Sequence, residues 1–231
     1  MENSALITLS DLVKTFPMGK DKFTALNNIN LDFKTGEFTG IVGPSGSGKT
    51  TLLNIMGSLD IPSSGEALVM GLSVGSLKPK KAADLRNKHL GFIFQTYNLL
   101  AVYTVYENVE LPLLLLKIPA PERKKAVLQS LEWVGLEDKI NSRPAQLSGG
   151  ECQRVSIARA MVKSPKIVLA DEPTANLDAE NSHNILKTME KLNRDLKTTF
   201  IFATHDEKVI QYLRRKISLN DGRIVRDEII N

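Results

Sequence analysis

The chain is expected to fold as an α/β protein with a helical piece set into it. Short apolar runs of strand length alternate with helical stretches along most of the 231 residues. From Tyr103 to about Met161 that alternation gives way to longer helical periods. A glycine-rich loop also joins an apolar strand to a helix at Gly43–Thr50, as open α/β sheets require where they bind phosphate. Together these predict an α/β core drawn from both ends of the chain, with a helical insert between.

Taken in order, Ala5 to Phe16 and Ala25 to Phe33 read as strands with partial alternation. Glu37 to Val42 is a short strand ending at glycine, and a helix begins over Thr51 to Met56. Gly65 to Met70 and Leu90 to Phe94 are strand-like. The insert is expected to be broken by Pro112, Pro119, Pro121 and Pro144. Strand character returns at Lys166 to Ala170, Thr199 to Thr204 and Arg215 to Leu219. Asp221-Gly222 marks a hairpin turn into Arg223 to Asp227. No internal repeat or low-complexity segment is visible.

Composition excludes several classes. Hydrophobic residues at 42% and charged residues at 24% are ordinary for a globular chain with a normal core. The net charge of +4 is mild and spread out. It tolerates polyphosphate or anionic lipid nearby and calls for no nucleic acid. The single cysteine, Cys152, excludes an intrachain disulfide and suits a reducing compartment. Met1–Ser4 is polar and leads into no long apolar run, so no secretion signal is expected. The most apolar stretch, Leu111–Leu116, is far shorter than the roughly 20 residues of a spanning helix. Any work at a membrane is therefore expected to fall to a partner.

Gly43-Pro44-Ser45-Gly46-Ser47-Gly48-Lys49-Thr50 matches G-x-x-x-x-G-K-[ST] between strand Phe38–Val42 and helix Thr51–Met56. Glycines let the backbone turn tightly and aim N–H groups inward. The helix start adds partial positive charge. Lys49 can reach β- and γ-phosphates, and the Thr50 hydroxyl can ligate Mg²⁺. Lys166–Ala170 is an apolar strand ending in Asp171-Glu172. Strand ends of a parallel sheet face the ligand. Asp171 then suits Mg²⁺, and Glu172 can accept a proton from an attacking water. Strands often end in acids, and it is the phosphate loop that gives this pair its meaning.

Leu147-Ser148-Gly149-Gly150-Glu151, followed by Cys152-Gln153-Arg154, opens a helix running to about Ser164. Ser148 and Glu151 have the spacing of a capping box. Adjacent glycines are locally unfavourable there and make sense if the backbone approaches a ligand closely. Exposed N–H groups at a helix start form an anion site. A second anion site, about 100 residues from the phosphate loop, suggests a grip on the γ-phosphate held by another copy.

With these residues in view, the chain resembles the ATP-binding subunits of ABC transporters over essentially its whole length. Leu147–Glu151 resembles their signature sequence. Gln95 matches the Q-loop glutamine, Ala175-Asn176-Leu177-Asp178 the D-loop, and His205 the switch histidine. Phe16 matches the aromatic that stacks on adenine. A Phe16 packed on the strand pair would leave the adenine to a neighbour such as Phe23. Cys152 stands where the family commonly has glutamine and has no evident base partner to make it a nucleophile.

The resemblance implies an α/β fold, a P-loop NTPase core with an antiparallel β subdomain and an inserted α-helical subdomain. It implies one ABC ATP-binding domain over 1–231, with 1–95 and 165–231 as core and 96–164 as helical subdomain. It implies ATP and Mg²⁺ as cofactors, with Glu172, His205, Lys49 and Gln95 catalytic and Thr50, Gln95 and Asp171 at the metal. Nucleotide contacts are implied at Phe16, Gly43, Ser45, Gly46, Ser47, Gly48, Lys49, Thr50, Thr51, Ser148, Gly149, Gly150, Glu151 and Asp178. The partners implied are a second copy in an ATP-dependent sandwich and an integral membrane permease subunit, with the chain peripheral on the cytoplasmic face.

Leu90–Leu100, Tyr103–Leu114 and Ala170–Asp178 resemble the lipoprotein-release and macrolide-export branch, the LolD and MacB type. Amino-acid importer subunits are similar in length, but usually have a different residue before the Walker aspartate and Ser-Ala in place of Ala175-Asn176; the FtsE-like cell-division ATPases, which signal through a membrane partner, share the same motifs. Soluble tandem-cassette factors do not fit a single phosphate loop, and a generic P-loop kinase does not fit the signature segment.

Overall fold

A computed structural model describes residues 5–230. Met1–Ser4, read above as carrying no secretion signal, lies outside the described residues, as does Asn231. The architecture is α/β, with two sheets and a group of helices. Strands β1 (Ile7–Met18), β2 (Asp21–Phe33), β4 (Ser64–Val69) and β5 (Leu72–Ser73) form an antiparallel sheet in the order β2-β1-β4-β5. Strands β3 (Phe38–Val42), β6 (Leu90–Ile93), β7 (Ile167–Asp171), β8 (Thr199–Thr204), β9 (Arg215–Asn220) and β10 (Arg223–Ile229) form the second sheet. Its order is β10-β9-β3-β8-β7-β6, parallel except for the terminal β9–β10 hairpin.

The central strands are buried on both faces, so they read as continuous apolar runs. Alternate side chains then divide between two cores. Phe38, Val168, Ala170, Phe200 and Phe202 face the helices α3 (Val105–Leu115), α4 (Ala120–Val134), α5 (Gly149–Met161) and α6 (Ala179–Leu196). Ile41, Leu169, Ile201, Ala203, Ile217 and Leu219 face helix α1 (Lys49–Met56) and the antiparallel sheet. Phe38 anchors the first core, its ring 4.7 Å from Phe202 and 5.6 Å from Phe200 between centroids. Helices α3 to α5 lie in sequence between the neighbouring strands β6 and β7, which pair in parallel.

Several expectations need correction. Pro112 does not break its helix, because α3 runs through it to Leu115. The cost of one missing N–H is offset by the burial of Val105, Val109 and Leu113. A capping box at Thr104 and Glu107 adds to this. The break expected at Pro119 and Pro121 does occur, between the end of α3 at Leu115 and the first turn of α4. Pro144 opens a short 3₁₀ turn. β1 extends past Phe16 to Met18 and turns at Gly19, with φ +64°, into a β2 that begins four residues before Ala25. Helices α2 (Pro79–His89) and α6 have no counterpart among the expected elements; α6 buries Ile185, Leu186, Met189 and Leu192 on one face. A last short helix, α7 (Glu207–Ile210), follows β8.

Truncating a fully buried aromatic should expose how much the sheet depends on this core. Phe202→Ala is expected to lower unfolding stability by about 3–5 kcal/mol. Denaturant titration would read it as a lower midpoint at unchanged slope.

Candidate functional site

A cleft of about 520 Å³ opens at the carboxyl ends of β3, β7 and β8. Its walls include Ser45, Gly46, Gly48, Lys49, Thr50 and Thr51 from the glycine loop and α1, and Asp171 and Glu172 from the end of β7. Gln95 follows β6, His205 follows β8, and Phe16 and Phe23 reach over from the antiparallel sheet.

Close packing fixes the loop. A Cβ on Gly43 would stand 2.0 Å from the Leu219 carbonyl oxygen, and one on Gly48 2.5 Å from that of Ala25. Gly48 also has φ +104°, a left-handed conformation that suits glycine, and it caps α1. The first α-helical bond is Leu52 N to Gly48 O at 2.9 Å. The N–H groups ahead of it have no intrahelical acceptor, as at any helix start. Lys49 is nearly buried, and its Nζ donates to the Gly43 and Pro44 carbonyls at 2.8 and 2.9 Å. The Ser47 hydroxyl is buried without a hydrogen-bond partner inside the loop.

The Thr50 hydroxyl donates to Asp171 Oδ1 at 3.2 Å. Burial raises the pKa of Asp171 above the usual carboxylate value, and the Thr50 hydrogen bond opposes that shift. Two hard oxygens side by side suit Mg²⁺, which takes few protein ligands and completes its shell with phosphate oxygens and water. Glu172 sits at φ +45°, an uncommon conformation for a residue with a side chain. Its Oε2 accepts from the Thr204 hydroxyl at 3.1 Å, and its Oε1 lies 2.7 Å from His205 Nδ1. The carboxylate is therefore aimed along the β8 end, with His205 exposed at the mouth.

The sequence-derived residues fall into two groups. Phe16, Ser45, Gly46, Gly48, Lys49, Thr50, Thr51, Gln95, Asp171, Glu172 and His205 converge on the cleft, while Gly43 and Ser47 sit behind it in the same loop. Phe16 and Phe23 are paired across the β1–β2 ladder and both line the cleft. Lys14 Nζ lies 4.9 Å from the Phe16 ring centroid. Ser148, Gly149, Gly150, Glu151 and Asp178 do not line it.

Those five build a second, separate structure. Ser148 and Glu151 close a capping box, Ser148 N donating to Glu151 Oε2 at 2.8 Å and Glu151 N to Ser148 Oγ at 3.2 Å. That backbone donor holds the Glu151 carboxyl below its ordinary pKa. Asp178 caps α6 through Asn181 N at 2.8 Å. Gly150 has a reason inside the chain, since a Cβ there would lie 2.6 Å from Asn181 Oδ1. Cys152 is buried and its thiol is pushed up in pKa by desolvation, which suits a packing residue. Ala175, the first residue of the D-loop match, also lines the cleft, as does Ala25, which has no chemical signal in the sequence.

A family model described as "ABC transporter" matches residues 26–175. The ABC transporter ATP-binding protein YvrO of Bacillus subtilis is 43% identical over 223 residues, 96% of this chain and 97% of that protein. The macrolide export ATP-binding/permease protein MacB of Vibrio parahaemolyticus is 41% identical over 227 residues, 98% of this chain and 35% of that protein. The ATP-binding cassette MJ0796 of Methanocaldococcus jannaschii, solved as a dimer in a post-hydrolysis state with ADP and Pi, superposes with a TM-score of 0.90. That structure is 41% identical, with 97% of this chain and 99% of that one covered.

The glycine contacts yield a sharp expectation. Gly43→Ala drives a methyl group into the Leu219 backbone and should weaken ATP binding at least tenfold and lower the melting temperature. Titration of a fluorescent ATP analogue checks the first, and calorimetry the second.

Proposed function

This chain belongs to the ABC transporter ATP-binding family, and on that premise we propose that it pairs with a second copy around two ATP molecules to drive a separate membrane permease. The observation that carries this reading is the division of the site. The cleft holds the phosphate loop, both acids, Gln95 and His205, while the capped start of α5 lies outside it. A helix start with glycine-backed N–H groups suits a phosphate, and a second copy is the natural source of one.

In this reading Lys49 exchanges the Gly43 and Pro44 carbonyls for β- and γ-phosphate oxygens. Thr50, Asp171 and Gln95 would hold Mg²⁺, which would supply charge neutralisation for the phosphates. Phe16, with Phe23 beside it, provides an apolar platform for adenine. Glu172 accepts a proton from the attacking water, and Thr204 and His205 hold its carboxylate in place. His205 also faces the γ-phosphate. Ser148, Gly149, Gly150 and Glu151 of the second copy close over that phosphate, with Asp178 fixing the loop beside them. ATP then joins the two copies, and hydrolysis removes contacts that exist only in the closed pair.

The 41% identity to MacB supports the lipoprotein-release and macrolide-export branch. We therefore assign the chain to export or extraction of a lipoprotein, peptide or drug, at the cytoplasmic face of the membrane. The whole chain, 1–231, serves as one ABC domain, with 96–164 as its helical subdomain. No helix among the described residues is long and apolar enough to cross a membrane, so the proposed permease supplies that path.

Glu172→Gln is the direct test. It should bind Mg-ATP within a few fold of the parent and lower kcat by roughly 10²-fold or more, the scale of a lost general base. Near-normal turnover would remove Glu172 from that role. Purification of the tagged chain with its membrane complex, followed by identification of the co-purifying subunit and cargo, tests the branch; an importer permease would overturn it.

A further inference from the structure

Helix α5 is bonded through Gln153 to the turn that follows Glu172. Gln153, one turn beyond the Ser148 cap, is completely buried. Its Nε2 donates to the Pro173 carbonyl at 2.5 Å. Pro173 directly follows Glu172, the residue at φ +45° whose carboxylate reaches Thr204 and His205. The same turn is held by Glu172 N to Ala203 O at 2.9 Å, Ala175 N to Glu172 O at 3.2 Å and the Thr174 hydroxyl to Asp206 Oδ2 at 3.0 Å. The other half of the Gln153 amide, Oε1, is buried with no partner. An unsatisfied buried acceptor is unfavourable, and packing alone does not account for an amide here.

We propose that Gln153 is a positioning residue that ties the start of α5 to the turn carrying Glu172, so that closure of α5 on a second copy's phosphate sets the Glu172 carboxylate in its own cleft. The proposal rests on the roles given above to Glu172 and to the α5 start. The mechanical argument is short. α5 is rigid at its start, because the capping box fixes it and Gly150 packs against Asn181. Farther along, Arg159 donates to the Asn98 and Tyr97 carbonyls at 2.5 and 2.6 Å, so α5 is also fastened to the loop after Gln95. A displacement at the cap is thus carried through the body of the helix. Gln153 is the bond that delivers it to the strained turn, where a small error in carboxylate position is expensive in rate and cheap in nucleotide binding.

The test uses the full chain with Mg-ATP. Gln153→Met keeps the volume and removes the donor. It should lower kcat about tenfold, leave KM and the affinity for a fluorescent ATP analogue within about twofold, and shift the melting temperature by only a few degrees, since positioning falls on rate more than on binding. In a Glu172→Gln background the same substitution should produce no further loss of residual single-turnover hydrolysis, because both act through one carboxylate. If Gln153→Met melts below the assay temperature, Gln153→Asn, which keeps the amide one methylene short of Pro173, carries the same comparison. A folded variant with kcat within twofold of the parent overturns the proposal. So does a loss that multiplies with that of Glu172→Gln. Near-normal turnover of Glu172→Gln alone would instead defeat the reading of Glu172 itself, and the link with it.

Discussion

A phosphate can be held by backbone only where N–H groups are left without intrachain acceptors, as at a helix start, and the rest of this structure depends on how the Gly43–Thr50 loop, with Gly43 N bonded to Thr204 O and Ser47 N to Pro44 O, presents the start of α1. The loop is held from behind by backbone: the Leu219 and Ala25 carbonyls stand where side chains on Gly43 and Gly48 would be. Leu219 belongs to β9 and Ala25 to β2, so both sheets must be in place before the loop takes its shape. The parallel order of β3, β8 and β7 then brings Asp171, Glu172 and His205 to the same end of the sheet. The two cores fix that order through alternate faces of the same strands.

Charge is arranged to match. Lys49 is nearly buried and rests on two carbonyls of its own loop, a weaker set of acceptors than phosphate oxygens. Asp171 is desolvated beside the Thr50 hydroxyl, which favours neutralisation by a cation. Glu172 reaches Thr204 and His205 from a left-handed backbone. The start of α5, the proposed second anion site, is held independently of the cleft by its capping box. In the proposed reading one chain carries two unlike halves of a binding site, joined through α5 by the Gln153–Pro173 hydrogen bond.

The residues that line the cleft are legible in the sequence because they lie in short contiguous motifs with strict spacing. Most strands follow from apolar runs for the same local reason, as at Thr199–Thr204, where expectation and strand coincide. What failed depends on contacts between distant parts of the chain. Pro112 reads as a breaker, yet the buried face of α3 carries the helix through it. Helix α6 begins beside the D-loop, and its apolar face was hidden among polar residues. Gly150 looked like a ligand-facing glycine, and its neighbour Asn181 is 31 residues away in sequence. Gln153 showed no signal, because the Pro173 carbonyl it binds is backbone and leaves no trace in residue type.

The central claim is that the site is divided between two copies, and the mass of the hydrolysis-impaired chain in solution measures it most directly. Light scattering of Glu172→Gln should give one copy without nucleotide and two copies with Mg-ATP, and the additional substitution Lys49→Ala should return it to one. A chain that stays single in saturating Mg-ATP, alone and in complex with its membrane subunit, would contradict the account.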